Sequence, residues 1–120
     1  MVTIKEDMSL LDIQNVFTGE FPYLKIGFFR TALPEENGNR KVFLKQDVRV
    51  RNKSKEDTGQ NFVIREEMTV TELEQLFKKQ FGLSAQIFRK SGRTWLETKM
   101  TSDWSLKKQN HQGFELSVII

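Results

Sequence analysis

Val2 to Arg30 and Phe62 to Lys90 align without a gap at an offset of 60 residues. Identical pairs are Ile4 and Ile64, Glu6 and Glu66, Met8 and Met68, Phe17 and Phe77, Phe21 and Phe81, and Phe28 and Phe88. The shared physics is stronger than the identity. In each copy a hydroxyl residue, Ser9 or Thr69, stands three positions before an acid, Asp12 or Glu72, which is the spacing of a helix capping box, with Glu72 the better fit. Met8 or Met68 precedes the cap and Ile13 or Leu73 sits at the fourth helical position, so each pair can close a hydrophobic staple.

From the caps onward, Leu10, Ile13, Val16, Phe17 and Phe21, and likewise Val70, Leu73, Leu76, Phe77 and Phe81, recur at helical spacing. Both helices therefore bury one stripe, and the phenylalanines are core residues. Pro22 stops the first helix, while Gly82 can take the left-handed conformation that ends the second. Strand-like runs follow at Leu24 to Arg30 and Ser84 to Lys90, and short ones precede at Val2 to Glu6 and Phe62 to Glu66. Each copy reads as a βαβ unit, and the pair as an internal duplication.

Between the copies, Ala32 to Arg40 is a polar loop. Arg40 to Lys53 then alternates, with Val42, Leu44, Val48 and Val50 on one face and Lys41, Phe43, Lys45, Asp47, Arg49, Arg51 and Lys53 on the other. Period two predicts a half-buried strand, interrupted near Gln46-Asp47. Asn52 to Asn61 has no apolar residue and is expected to join this strand to Phe62 as a wide hairpin. Later, Ser91-Gly92-Arg93 predicts a tight turn between two strands, and Ser102-Asp103-Trp104 a cap for a short helical turn through Asn110. His111-Gln112-Gly113 reads as a breaker, and the apolar run Phe114 to Ile120 as a central strand.

These expectations describe a single α+β domain over residues 1–120: an N-terminal repeat at 1–30, a loop and basic strand at 31–61, and the second repeat with a last strand at 62–120. Two helices pack on one face of a mixed sheet. The order of elements from Arg40 onward resembles the ubiquitin-like β-grasp fold. The likeness is carried by Met68, Ala85-Gln86-Ile87-Phe88, the Ser91-Gly92 turn, Thr94-Trp95-Leu96-Glu97, Ser102 to Leu106 and Phe114 to Val118. The pattern is also similar to that of small bacterial proteins of unknown activity. What the first resemblance implies is a binding or scaffold role. Attachment chemistry is not implied, because Val118-Ile119-Ile120 replaces the Gly-Gly tail.

The chemistry of the chain is narrow. It has no cysteine and one histidine, so thiol catalysis and the common zinc clusters are unavailable. No phosphate loop or Gly-x-Ser-x-Gly elbow occurs, and His111 reads as a solvent-exposed side chain. The expectation is no catalytic residue, no metal and no cofactor. No charged region leads into an apolar run at the start, and no run reaches the ~20 apolar residues of a spanning helix, which predicts a cytoplasmic protein without a membrane segment.

A net charge of +3 permits an acidic partner. The expected role is therefore a non-catalytic module that binds another protein. Exposed Trp95 would suit an interface, and Trp104 would pin the short helix to the core. The alternative is single-stranded nucleic acid bound along the basic strand. Lys41, Lys45, Arg49, Arg51 and Lys53, with Lys55 beyond, would align about 6.6 Å apart, and Phe43 could stack on a base. The same cations also protect an edge strand, and an edge over Val42 to Val50 offers a route to self-association.

Overall fold

The structure, a computed structural model, describes residues 1–36, 38–47 and 62–118. Among these residues six strands and three α-helices follow in the order β1 (Val2–Ile4), α1 (Leu10–Glu20), β2 (Leu24–Thr31), β3 (Lys41–Phe43), β4 (Phe62–Ile64), α2 (Val70–Phe81), β5 (Ser84–Ser91), β6 (Thr94–Glu97) and α3 (Leu106–Val118). The α+β class follows directly.

Both helix starts are capped as their sequences dictate. Ser9 Oγ accepts from the Asp12 amide at 3.1 Å, and the Asp12 carboxylate accepts from the Ser9 amide at 3.0 Å. Thr69 Oγ1 accepts from the Glu72 amide at 3.1 Å. The complete box belongs to Asp12 and not, as the side-chain preference suggested, to Glu72. Such caps contribute about 1 kcal/mol each. Gly82 ends α2 at φ 66° and Gly92 turns β5 into β6 at φ 60°, two places where a side chain would strain the backbone.

Two sheets result. β1 pairs with β4, and β3-β2-β5-β6 form a four-stranded sheet. All four pairings among the described residues are antiparallel, so the mixed sheet expected from sequence finds no parallel pair there. Among the described residues β3 pairs with β2 and β4 with β1, and the segment expected to form the wide hairpin loop, 52–61, lies outside them. Of the predicted basic strand, Lys41–Phe43 is strand and Gln46-Asp47 is a turn; positions 48–61 lie outside the described residues.

The two halves exchange partners across both central pairings. Val2 pairs with Ile64, Thr3 with Val63 and Ile4 with Phe62, which is the exchange a two-fold relation at an offset of 60 requires. In the larger sheet Leu24 pairs with Arg89, Ile26 with Ile87 and Phe28 with Ala85. That exchange centres on Ile26 and Ile87, an offset of 61. The extra residue enters at the helix ends, since α2 has 12 residues and α1 has 11. The gapless alignment thus fails beyond Phe81. Phe28 lies in the core at 2% exposure, whereas Phe88 points to the opposite sheet face.

The largest correction concerns the C-terminal segment. Residues 106–118 form a 13-residue helix, in place of a short turn, a breaker and a strand at Phe114 to Ile120; positions 119–120 lie outside the described residues. Among the described residues there are accordingly three α-helices rather than two. Ser105 caps α3 through the Lys108 amide, while the Ser102 carbonyl accepts from the Thr71 amide of α2. Leu106, Gln109 and Gly113 are all buried at helical spacing. Gly113 does not break the helix; it lets the helix cross the chain. A Cβ there would stand 2.7 Å from Tyr23 Cβ and 3.0 Å from the Tyr23 carbonyl oxygen. Trp104 joins this helix to β5, with Lys108 Nζ 4.3 Å and the Arg89 guanidinium 5.6 Å from its ring.

One core serves the whole fold. It gathers Ile4, Ile13, Phe17 and Phe28 from the first half with Ile64, Leu73, Phe77 and Ile87 from the second, and Leu106 from α3. Met8 and Met68 pack against it as partly buried residues, the place the staple reading gives them.

Candidate functional site

Cross-strand partners share a sheet face, so the pairings assign every side chain of the four-stranded sheet. Leu24, Ile26, Phe28, Ala85 and Ile87 face the helices and are buried. The outer face then carries Lys25, Gly27, Phe29 and Thr31 of β2, and Ser84, Gln86, Phe88 and Lys90 of β5. To these β3 adds Lys41 and Phe43, and β6 adds Trp95 and Glu97. Four aromatic rings and three lysines share this surface with one carboxylate.

The rings form a continuous row. Phe29 and Phe43 have centroids 6.0 Å apart, and Phe43 and Phe88 6.2 Å. Gly27 makes the row possible, because its missing side chain leaves room for the Phe43 ring; a Cβ there would stand 2.9 Å from Phe43 Cε1. Lysines sit on the rings. Lys41 Nζ is 4.5 Å from the Phe29 centroid, and Lys25 Nζ is 5.3 Å from Phe88 and 4.9 Å from Trp95. Each contact places a cation over a ring's negative face, worth about 0.5–1 kcal/mol where solvent reaches it. Lys41 also donates to Gln86 Oε1 at 2.6 Å. Phe43 remains 49% exposed, so the row is reachable from solvent.

Of the residues singled out by sequence, Lys41 and Phe43 reach this face, and Lys45 is exposed just beyond the end of β3. Arg49, Arg51, Lys53 and Lys55 lie outside the described residues. Trp95, read as an interface residue, also lies on this face, whereas Phe29, Phe88 and Lys25 carry no site assignment from sequence. Their alternation is visible in the sequence, but only the strand register turns Phe29 and Phe88 to the same outward face. Val42 and Leu44 are half-buried between exposed neighbours, which matches the alternation read from sequence.

Two of the grooves beside the face bear on its chemistry. The larger, about 450 Å³, runs between α1 and the outer face, over Gly27 and beside Phe43, Phe88 and Lys25. Gln14 closes its inner wall, donating to the Ile26 carbonyl at 3.0 Å and accepting from Gln46 at 2.9 Å. The second, about 140 Å³, lies beside α2 and holds Glu74, Lys41, Lys99 and Gln86. Glu74 occupies the position in α2 that Gln14 holds in α1.

Burial pushes the Glu74 carboxyl above its ordinary value, against the opposing pull of Lys41 and Lys99. Folding therefore favours its protonated form. The corresponding stability is present at acid pH, below the ordinary carboxyl value, and is lost as pH rises through the raised one. Glu74→Gln is expected to stabilise the protein at pH 7 by about 0.5 kcal/mol and to leave it unchanged at acid pH. Urea midpoints at pH 4 and 7 measure this; a variant less stable than wild type at pH 7 would refute it.

His111 is exposed as expected, though on α3 rather than in a loop, and it pairs with Glu115 at 2.8 Å. Among the described residues no cluster of three or more His, Asp or Glu could hold a metal ion, and no helix is long and apolar enough to cross a membrane. Fold and face together define an α+β protein with an open aromatic and basic sheet surface. No protein-family model, curated protein or solved structure matches the chain.

Proposed function

We propose that this protein is a cytoplasmic, non-catalytic binding module whose ligand is a single-stranded nucleic acid laid across the outer face of the β3-β2-β5-β6 sheet. The observation that carries the reading is the row Phe29, Phe43 and Phe88, stepped about 6 Å apart and overlaid by Lys25 and Lys41. Bases stack on aromatic rings at about 1–3 kcal/mol each, with little dependence on sequence. The lysines that rest on the rings in the free protein swing to the phosphates as the bases take their places. The pull of the face on an anion is moderated by Glu97 alone among the side chains assigned to it.

Anisotropy of a labelled dT12 oligonucleotide at ~50 mM salt tests the proposal. Phe43→Ala and Phe88→Ala should each weaken binding roughly 5- to 150-fold. Lys25→Gln combined with Lys41→Gln should flatten the slope of log affinity against log salt by about 1.4, from ~0.7 for each phosphate contact. A folded protein that fails to bind at low salt, or binds equally without the two rings, sinks the proposal.

A protein partner is the second reading, favoured by Leu96 on the β6 edge strand and by Met100 just after it, 43% and 95% exposed. It predicts binding that salt barely weakens. We also infer that the halves arose by duplication, supported by the exchanged pairings of β1 with β4 and β2 with β5. A β-grasp relationship would rest on β4, α2, β5 and β6 alone, since the expected last strand is helical through Val118.

A further inference from the structure

The four-stranded sheet has two edges, β3 and β6. From Arg40 to Lys45 every charge along β3 is positive, so two copies of that edge repel. β6 carries one charge of each sign, with Arg93 just before the strand and Glu97 as its last residue. Both are exposed, and neither makes an ion pair with a described residue.

Half of the β6 backbone is unused within the sheet. The Thr98 amide donates to the Ile87 carbonyl of β5 at 3.3 Å. Backbone groups alternate in direction along a strand, so Thr94 and Leu96 also turn theirs to β5, while Trp95 and Glu97 turn theirs outward. β5 is the one described strand beside β6. On the inner face α3 packs against β5 and β2, and Leu96 stays 43% exposed.

We propose that β6 pairs with β6 of a second copy of this chain, antiparallel about a two-fold axis perpendicular to the sheet, which joins two four-stranded sheets into one of eight strands. Symmetry restricts the register, because a two-fold axis sets the central residue opposite its own counterpart. Centring on Glu97 brings two carboxylates face to face, and centring on Leu96 sets Arg93 toward Lys99. Centring on Thr94 leaves Glu97 opposite Ser91. Only Trp95 at the centre sets Arg93 of each copy opposite Glu97 of the other, with Leu96 opposite Thr94. The outward amide and carbonyl of Trp95 then bond to those of its counterpart, as two facing residues of an antiparallel ladder do. The pairing holds whatever the outer face binds.

A strand pair this short belongs with the weak, transient interfaces, so the full chain is expected to pass from one copy toward two between ~10 μM and ~1 mM in sedimentation equilibrium. Over the same range, amide exchange at Trp95 and Glu97 should slow while exchange in β3 does not change. Arg93→Glu and Glu97→Arg each set like charges opposite at two places and should weaken dimerisation about tenfold or more. Mixed together, the two variants regain opposite charges at both places and should form a heterodimer at least as tight as the wild-type pair. Both positions are exposed, and circular dichroism checks that the variants are folded. A chain that remains a single copy at ~1 mM overturns self-pairing and leaves the edge to a different partner. A dimer indifferent to the two reversals, or one whose Trp95 and Glu97 amides gain no protection, overturns the β6 edge. Variants that stay apart when mixed overturn the register.

Discussion

Residues 40–120, produced without the first 39, are expected not to fold. Nine of the eighteen described core residues, from Val2 to Phe28, belong to the missing segment. The loss is also topological. β2 lies between β3 and β5, so its removal strips β3 of its partner and leaves β5 paired only with β6. β4 loses β1, which is its sole described partner. Domains hold about 5–15 kcal/mol of net stability, and fully burying one large apolar side chain contributes roughly 1.5–3 kcal/mol, so losing nine exceeds the whole margin. Amide proton spectra of the fragment should lack dispersion, and its urea titration should lack a cooperative step. A fragment that unfolds cooperatively would instead restore a β-grasp domain beginning at Arg40.

Phe77→Ala is expected to cost about 3–5 kcal/mol, the usual scale for a buried phenylalanine. Its ring has no solvent exposure and meets Phe62 at 4.9 Å, Phe28 at 5.1 Å and Phe81 at 6.2 Å. Those three partners come from β4, β2 and α2, so the cavity would open where both sheets meet the second helix. Phe17, its counterpart in α1, is equally buried but has a close ring partner only in Phe21, at 5.3 Å, among the described residues. Phe17→Ala should therefore fall near the lower end of the same range, about 3 kcal/mol. Urea unfolding of the two variants gives the comparison directly. A Phe77→Ala loss below that of Phe17→Ala would contradict the ring cluster as the centre of the core.

What residues within a turn or two of one another decide was legible in the chain. Ser9 and Thr69 cap helices because a hydroxyl three residues before an amide can reach it whatever surrounds them. The stripes Leu10, Ile13, Phe17 and Val70, Leu73, Phe77 bury as their period requires, and Gly92 turns a hairpin because its φ must be positive. Lys41 and Phe43 share a face because alternate residues of a strand must.

The tertiary structure decided whatever depends on which segment lies alongside which. One residue more in α2 shifts β5 by one place, and a shift of one turns every side chain of a strand to the other face. That is why Phe88 joins Phe29 and Phe43 on the open surface while Phe28, its match in the alignment, lies in the core. Gly113 reads locally as a helix breaker, yet the backbone of Tyr23 passing beneath it makes glycine the residue that lets α3 pack. The partner of β3 is likewise β2 and not β4. Alternation marks two faces on a strand but carries no label for the neighbour it pairs with or the side the helices take. Those are settled by the joint burial of eighteen side chains contributed equally by the two halves.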